Sequence, residues 1–297
     1  MERGSEATPL SLPGQGSSPL RKQLIFWGKL AAGVALVWLL YRQVNPGLML
    51  LDQLARANRW FLLAGSLLVV VNIALAYWKW LLLLRSAFPD LAPGEAFGSL
   101  MLGYTLGAVT PGRLGELGRA IYLPHREPLP VTGLNLVDKF LNILVSSTVG
   151  LLGLSRFLWD RFAGLHWVYL PLLILSALVV TVLWVLVFNP CWTRGFLYSL
   201  VDLLPWRRSL GRLISGLEAL DRAHVARLVL LTAGWYLVIL VQYHCMIQAF
   251  TPVAWGHTLQ AVSAMLFVKT MIPFSYGDLG VREGLGIYFY GQQGLPG

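Results

Sequence analysis

The chain has 297 residues, of which 56% are hydrophobic and only 12% are charged, and its formal net charge is +9. A soluble domain usually has about a quarter charged residues, so this composition excludes an ordinary soluble protein and indicates that a bilayer surrounds most of the chain. The lysines and arginines lie between apolar runs, which is typical of membrane topology and not of a nucleic-acid-binding surface. We therefore expect a membrane as partner, and no nucleic acid.

The chain begins with a polar tail and then an apolar run. Residues 1–20 are rich in Ser, Gly and Pro, and this composition predicts a disordered tail. Residues 24–41 follow Arg21 and Lys22 and predict an uncleaved first membrane helix, because no small-residue cleavage site follows them. Residues 48–60 predict a short helix on the membrane surface.

Four later runs can each cross about 30 Å of hydrocarbon. They are residues 60–84, 131–159, 168–188 and 226–250. Between the last two, residues 189–225 are polar and basic, with leucines at helical spacing, and predict one or two amphipathic helices on the membrane surface. The motif Tyr77-Trp78-Lys79-Trp80 near the end of the second span is interpreted as an interfacial anchor whose lysine reaches the membrane surface.

Two further stretches do not resemble ordinary spans, and we call them the first broken segment (residues 95–123) and the second broken segment (residues 257–290). In each, an apolar helix of about four turns is followed by a proline, a glycine-rich break with charges, and a second apolar piece. Both contain the pattern Pro-x-x-x-Gly-(Glu/Asp)-Leu-Gly followed by an arginine, and the two copies align without a gap. Paired Gly/Pro-interrupted hydrophobic segments are typical of the binding sites of transporters.

The distribution of basic residues predicts how these segments lie in the membrane. The N-terminus and the loop of residues 189–227 are the two strongest basic regions outside the breaks, so both are expected in the cytoplasm. This is possible only if the first broken segment enters and leaves the membrane on one side. The second then lies on the opposite side, and the two form an inverted repeat. We expect an all-α, multi-pass protein of the inner or plasma membrane with a cytoplasmic N-terminus.

Charged residues inside the membrane are costly and indicate a hydrated internal cavity. The candidate substrate-binding residues are Arg113, Glu116, Arg119, Asp138, Lys139, Lys269, Asp278, Arg282 and Glu283. The candidate hinge residues are Pro111, Gly112, Gly115, Gly118, Pro273, Gly277 and Gly280. The charges either pair with each other, as the spacing of Glu116 with Arg119 and of Asp278 with Arg282 allows, or hold an anion such as a lipid phosphate. Nothing in the sequence predicts catalytic residues, a metal site or a cofactor, and a disulfide between Cys191 and Cys245 is not expected.

The runs PGRLGELGRAIYL, VDKFLNILV and PFSYGDLGVREG resemble the flippase-like family named after the transmembrane region of lysylphosphatidylglycerol synthase. The resemblance extends from about Leu24 to the end and implies a domain, residues 21–297, like the one that moves aminoacylated phosphatidylglycerol between leaflets. The family pattern Glu-Arg-x-x-Asp reads Asp138, Lys139 and Asn142 here, so no ion-pair role is carried over to Asn142. Relatives usually continue into another hydrophobic helix beyond the equivalent of Gly297, which leaves a C-terminal truncation of the domain open.

Three functional hypotheses follow. The first is a lipid flippase for an anionic phospholipid or a polyprenyl-phosphate lipid. The second is a membrane-embedded enzyme or accessory subunit that modifies a lipid head group, with Glu116 or Asp278 as acid or base. The third is a scaffold for a separate soluble synthase. The resemblance does not include the soluble aminoacyl-transfer domain, so synthase activity is not expected. The expected partners are an anionic lipid, the membrane, and either a soluble synthase or further copies of the chain.

Overall fold

The computed structural model describes residues 49–110, 113–189, 221–270 and 281–293, excluding the side chains of residues 49–51, 109 and 163. All regular elements in these ranges are helical, as predicted. The helices are α1 (Met49–Arg56), α2 (Arg59–Ala87), α3 (Pro93–Val109), a 3-10 helix (Leu114–Tyr122), α4 (Pro128–Arg161), a short 3-10 turn (Ala163–Leu165), α5 (His166–Phe188), α6 (Arg222–Gln248), α7 (Trp255–Thr270) and α8 (Val281–Gly291).

Four of these helices, α2, α4, α5 and α6, are long and apolar enough to cross a membrane. They confirm the four predicted spans that lie in the described ranges. The predicted first span, the disordered tail and most of the amphipathic region between α5 and α6 lie outside the described residues. The short helix predicted near residue 50 is present as α1, and its position at a membrane surface stays a prediction.

Helices α2 and α6 form an antiparallel pair, since the Asn58 N–H before α2 donates to the Ala249 backbone oxygen after α6 at 2.8 Å. Each helix has a capped N-terminus. The Asn58 side chain accepts a hydrogen bond from Trp60 N at the start of α2, and Asp221 accepts one from His224 N at the start of α6. Along the pair, the Trp235 indole N–H donates to Asn72 Oδ1 at 3.2 Å. The contact satisfies two polar groups between otherwise apolar helices, which matters in a bilayer because no water is present to do so.

The first broken segment folds into α3 and the 3-10 helix, which run antiparallel and which we call the first helix pair. Gly98 faces the Tyr122 ring, Gly103 faces Arg119 and Gly107 faces Glu116, so residue numbers on one helix rise as those on the other fall. Outside the pair, the Asp90 carboxylate accepts a hydrogen bond from Arg126 at 2.6 Å. The two ends of the first broken segment are therefore close together, next to the start of α4.

Helices α7 and α8 form the second helix pair and also run antiparallel. Gln293 Nε2 donates to Gln260 Oε1 at 3.2 Å, and Gly286 lies near Met265. The ends of this pair lie next to the end of α4, since Arg161 donates to Gln292 at 2.9 Å. The residues that join α7 to α8, which include Pro273, Gly277, Asp278 and Gly280, lie outside the described residues.

Helix α4 joins the two helix pairs. Its N-terminal half packs against the 3-10 helix, and its C-terminal half packs against α7. At the second contact Gly150 lies against Phe267 and Gly153 against Ser263, so that two glycines allow α7 to approach closely. Two buried apolar clusters form around these contacts, one near Leu134 and one near Val262. The two helix pairs therefore lie at opposite ends of one membrane-length helix.

Candidate functional site

A buried ion network lies where the first helix pair meets α2 and α4. At its centre is Asp138 of α4, whose two carboxylate oxygens have different cationic partners. Lys79 Nζ of α2 lies 2.8 Å from Asp138 Oδ1, and Arg119 Nη1 of the 3-10 helix lies 3.0 Å from Asp138 Oδ2. The three side chains are only 3–5% exposed. Buried charges of this kind are tolerated because each has a partner of opposite sign.

Glu116 is the second carboxylate of the network, and three cations surround it. Arg113 Nε lies 2.6 Å from Glu116 Oε1, and Lys139 Nζ lies 2.7 Å from Glu116 Oε2. Arg119 Nη2 is farther away, at 4.0 Å from Glu116 Oε2. Glu116 is 8% exposed, whereas Lys139 and Arg113 are 26% and 42% exposed. The network therefore has a buried part around Asp138 and a more accessible part around Glu116.

The local backbone explains how Glu116 and Arg119 come to one face. In a 3-10 helix, residues three apart are eclipsed, and Glu116 and Arg119 have this spacing. Arg113 precedes the helix with a positive φ of 54°, a left-handed conformation that turns the chain back toward α3. Gly103 and Gly107 on α3 leave room for the Arg119 and Glu116 side chains, since an added Cβ would lie within 2.7 Å of each.

Aromatic rings complete the buried part of the network. The Arg119 guanidinium lies over the Trp80 ring with Cζ 4.7 Å from the centroid, and Lys79 Nζ lies 5.0 Å from the centroid of the Trp235 ring. Cations are attracted to ring faces, and most strongly so where water is excluded. The rings therefore add to the stabilisation of two cations that are buried in the protein.

The interpretation of Tyr77-Trp78-Lys79-Trp80 as an interfacial anchor is wrong for its central lysine. Lys79 is buried and paired with Asp138, and Trp80 is fully buried against Arg119, while Trp78 is exposed. The sequence signal was a lysine inside an apolar span, which on general grounds indicates a functional or paired charge. Lys79 lies near the end of the predicted span, and this position favoured the incorrect interpretation as an interfacial anchor.

Two asparagines of α4 also belong to the network. Asn142 accepts a hydrogen bond from Lys79, so it contacts the cation that pairs with Asp138. Asn135 donates to the backbone oxygen of Glu116 at 2.6 Å and thereby fixes the 3-10 helix on α4. Together with Asp138 and Lys139, these residues form a polar face on the N-terminal half of α4, because they recur at intervals of three and four.

The described charges of the second broken segment have a different environment. Lys269 lies in the last turn of α7, and Arg282 and Glu283 lie in the first turn of α8. Arg282 Nη2 lies 2.9 Å from Glu283 Oε1, and both side chains are exposed by about a third or more. The predicted pair of Asp278 with Arg282 is not tested, because Asp278 lies outside the described residues. Five of the predicted hinge residues also lie outside them: Pro111, Gly112, Pro273, Gly277 and Gly280.

The predicted pair of Glu116 and Arg119 is present, but it is the weaker contact of each side chain. Arg119 is closer to Asp138, and Glu116 is closer to Arg113 and Lys139. Thus the structure brings together five of the nine predicted site residues, namely Arg113, Glu116, Arg119, Asp138 and Lys139. Lys79, Trp80, Asn135 and Asn142 are additional members that were not among the predicted site residues.

Long apolar helices around a buried ion network define a multi-pass helical membrane protein. The family described as the lysylphosphatidylglycerol synthase TM region matches residues 26–297, and the chain therefore belongs to this family. Comparisons with curated proteins and with solved structures found no match. The predicted resemblance is confirmed, and the protein is a membrane protein of a family related to lipid modification and lipid flipping.

Proposed function

We propose that the protein is a transporter of the lipid-flippase type that moves an anionic phospholipid or a polyprenyl-phosphate lipid between leaflets. The observation that carries the proposal is the position of the Glu116 carboxylate among Arg113, Lys139 and Arg119. Guanidinium and ammonium groups bind carboxylates and phosphates by the same charge-assisted hydrogen bonds. A head-group phosphate can therefore replace Glu116 among these three cations.

The differences in exposure support an order of events. Arg113 and Lys139 are the accessible cations, so they meet the head group first. Arg119 is buried and reaches the same position from the protein interior. Glu116 holds the cations together until the phosphate arrives and displaces the phosphate again at release. On this account, Glu116 competes with the transported lipid for one site.

Two buried donors add support for an oxygen-rich ligand at this site. Arg119 Nε and Trp80 Nε1 have no hydrogen-bond acceptor among the described residues. A buried unsatisfied donor costs about 1–3 kcal/mol, and phosphate oxygens or accompanying waters are suitable acceptors. These two donors can therefore serve a ligand, while Asn135 Oδ1 is a buried acceptor of the network that also has no hydrogen-bond partner among the described residues.

The arrangement of the two helix pairs supports alternating access. The ends of the first pair lie near the start of α4, and the backbone oxygen of Arg113 at its turn contacts Lys139. The ends of the second pair lie near Arg161, and its Phe267 lies against Gly150. Lys139 and Gly150 are about 16 Å apart along a helix with a rise of 1.5 Å per residue. We infer that the pairs re-enter the membrane from opposite faces, the first from the cytoplasm, as an inverted repeat.

On this inference, the charges of the second broken segment form a second binding site for the head group along the lipid path. Lys269, Asp278, Arg282 and Glu283 lie in and beside the aligned break, where Asp278 aligns with Glu116 and Arg282 follows the motif as Arg119 does in the first broken segment. Their role as ligands is part of the proposal, as is the hinge role of the glycines and prolines at both breaks. The proposal also places the protein in the cell membrane, with its N-terminus in the cytoplasm.

The test is transport in proteoliposomes. Purified full-length protein is reconstituted with tail-labelled phosphatidylglycerol, and its redistribution between leaflets is followed by chemical quenching of the outer-leaflet label. Labelled polyprenyl phosphate and phosphatidylcholine are run in parallel to identify the cargo class. We expect faster redistribution of one phosphate-bearing anionic lipid than in protein-free vesicles. Mass analysis of the same lipids separates transport from head-group modification, because only modification changes the mass.

Two variants of α4 make this test specific. Lys139→Met removes a cation that contacts Glu116, and Arg156→Met removes an exposed cation that pairs with Asp160 at the other end of the helix. We expect Lys139→Met to slow transport by about tenfold, as losing one charge-assisted contact to an anion would. Arg156→Met should transport like the unmodified protein. Equal redistribution of all lipids in vesicles with and without protein would contradict the proposal.

A further inference from the structure

Among the described residues, Lys79 is the one cation of the network that lies outside both broken segments and outside α4. It lies on α2 and makes three contacts: an ion pair with Asp138, a hydrogen bond to Asn142 and a cation–π contact with Trp235. None of these contacts involves Glu116, which occupies the proposed head-group position. Lys79 is also nearly fully buried, so a lipid head group does not reach it in this arrangement. Of its three contacts, the one with Asp138 connects Lys79 to the proposed site, because Asp138 also pairs with Arg119.

Asp138 forms ion pairs with both Lys79 and Arg119. One oxygen pairs with Lys79 at 2.8 Å and the other with Arg119 at 3.0 Å. Arg119 in turn lies between two carboxylates, with Asp138 at 3.0 Å and Glu116 at 4.0 Å. The attraction of Asp138 for Arg119 thus competes with any anion that occupies the position of Glu116. Because the region is buried, this competition is weakly screened.

We propose that Lys79 is a positioning residue that neutralises Asp138 and so keeps Arg119 available for the head-group phosphate. The inference rests on the proposed function of the same site. With Lys79 present, Asp138 retains a cationic partner when Arg119 turns its second nitrogen toward the phosphate. Without Lys79, Arg119 is the only described side-chain cation in contact with Asp138. Arg119 then stays with Asp138, since moving away would leave a buried carboxylate unpaired.

The chain offers a set of variants that separates this role from a purely structural one. Lys79→Met keeps an unbranched side chain of similar length and removes the charge, and Lys79→Arg keeps the charge. Asp138→Asn removes the competing carboxylate but keeps an oxygen that can accept a hydrogen bond. The double variant Lys79→Met/Asp138→Asn removes both charges, which is a replacement that buried ion pairs often tolerate.

The measurement is the affinity of purified full-length protein for short-chain phosphatidylglycerol in detergent micelles, with short-chain polyprenyl phosphate as a second probe and phosphatidylcholine as the comparison. We expect Lys79→Met to lower the affinity for the anionic probe by about tenfold, a typical coupling within one ion-pair network. Asp138→Asn should bind the anionic probe more tightly than the unmodified protein, because Arg119 loses its competing anion. The double variant should recover to within about threefold of it, and Lys79→Arg should retain most of the affinity.

The inference is overturned if Lys79→Met lowers the melting temperature but leaves the affinity of the folded protein unchanged, because Lys79 then only stabilises the fold. It is also overturned if the double variant binds as weakly as Lys79→Met. Should Lys79→Met fail to fold, the comparison of Asp138→Asn with the double variant still decides, since both should bind the anionic probe. Absence of anionic-lipid binding in the unmodified protein would instead contradict the proposed function.

Discussion

The two helix pairs have the same antiparallel form but contact opposite halves of α4 in different ways. The first places Glu116 and Arg119 into a buried network with polar residues of α4. The second packs α7 onto glycines of α4, and its described pair, Arg282 and Glu283, is half-exposed. The sequence of α4 accounts for the difference, because its N-terminal half supplies Asn135, Asp138 and Lys139 to the first pair, whereas its C-terminal half packs Gly150 and Gly153 against α7. A repeated motif therefore acquires its chemistry from the helix against which it packs.

The largest expected difference between the pairs concerns the stability contributed by their carboxylates. Asp138→Ala leaves Lys79 and Arg119 without their shared anion and should lower the free energy of unfolding by about 3–5 kcal/mol. The matched variant, Glu283→Ala, removes an exposed partner of Arg282 and should lower it by about 1 kcal/mol or less. Reversible unfolding in mixed detergent micelles measures both. Similar small losses in the two variants would show that the Asp138 network does not stabilise the fold.

An intermediate difference is expected at the glycines of the two pairs. A Cβ at Gly115 would clash with the backbone oxygen of Leu106, which cannot move without displacing α3. We therefore expect Gly115→Ala to destabilise the protein by about 1–3 kcal/mol. Among the described residues, no atom lies near a Cβ added to Gly284 in α8, so Gly284→Ala should stabilise the helix by about 0.5–1 kcal/mol. Melting temperatures should thus move in opposite directions. A rise in both would refute the close packing inferred for the first pair, and a fall in both would refute the open space inferred at Gly284.

The smallest expected difference is a dependence on pH at the ends of the pairs. The hydrogen bond from Arg126 lowers the pKa of Asp90, which is exposed beside the first pair. A lowered pKa in the folded state stabilises the protein above the unfolded value, near 4, and this contribution disappears as the pH falls through the folded value. The melting temperature of Asp90→Asn should therefore lie slightly below that of the unmodified protein at pH 7 and converge with it in acid.

The second pair provides the control for this pH effect. Its ends are joined by neutral side chains, with Gln293 donating to Gln260. Gln293→Ala removes no titratable group, so the difference between its melting temperature and that of the unmodified protein should be the same at pH 7 and in acid. A pH-dependent difference in this variant, or none in Asp90→Asn, would count against the assigned contact of Asp90 with Arg126.

The spans and the helix breaks could be predicted from sequence because both depend on local chemistry. A long apolar run forms a helix in a bilayer, and prolines with glycines interrupt it. The four described spans and the helices of about four turns before each break are confirmed. The inverted, re-entrant insertion of the two segments and the ligand roles of their charges stay predictions.

The partners within the network could not be predicted in the same way. Helix α2 is apolar on all sides, so its sequence does not show which side Lys79 faces. Its partner Asp138 is distant in sequence, and only the packing of α2 on α4 brings the two together. The spacing of Glu116 and Arg119 indicated a local pair, but in the folded chain Arg119 lies closer to Asp138 of α4 than to Glu116. Long-range packing therefore decided the contacts that matter most for the site.

If Glu116 occupies the position of a lipid phosphate, Glu116→Gln should strengthen lipid binding, because the competing carboxylate is removed. The measurement is the rise in melting temperature when phosphatidylglycerol is added to the purified variant and to the unmodified protein. Because glutamine no longer competes for Arg113 and Lys139, we predict a larger rise in Glu116→Gln, with no such gain for phosphatidylcholine. A smaller or equal rise with phosphatidylglycerol would contradict the claim, since Glu116 would then hold the cations without competing with the lipid.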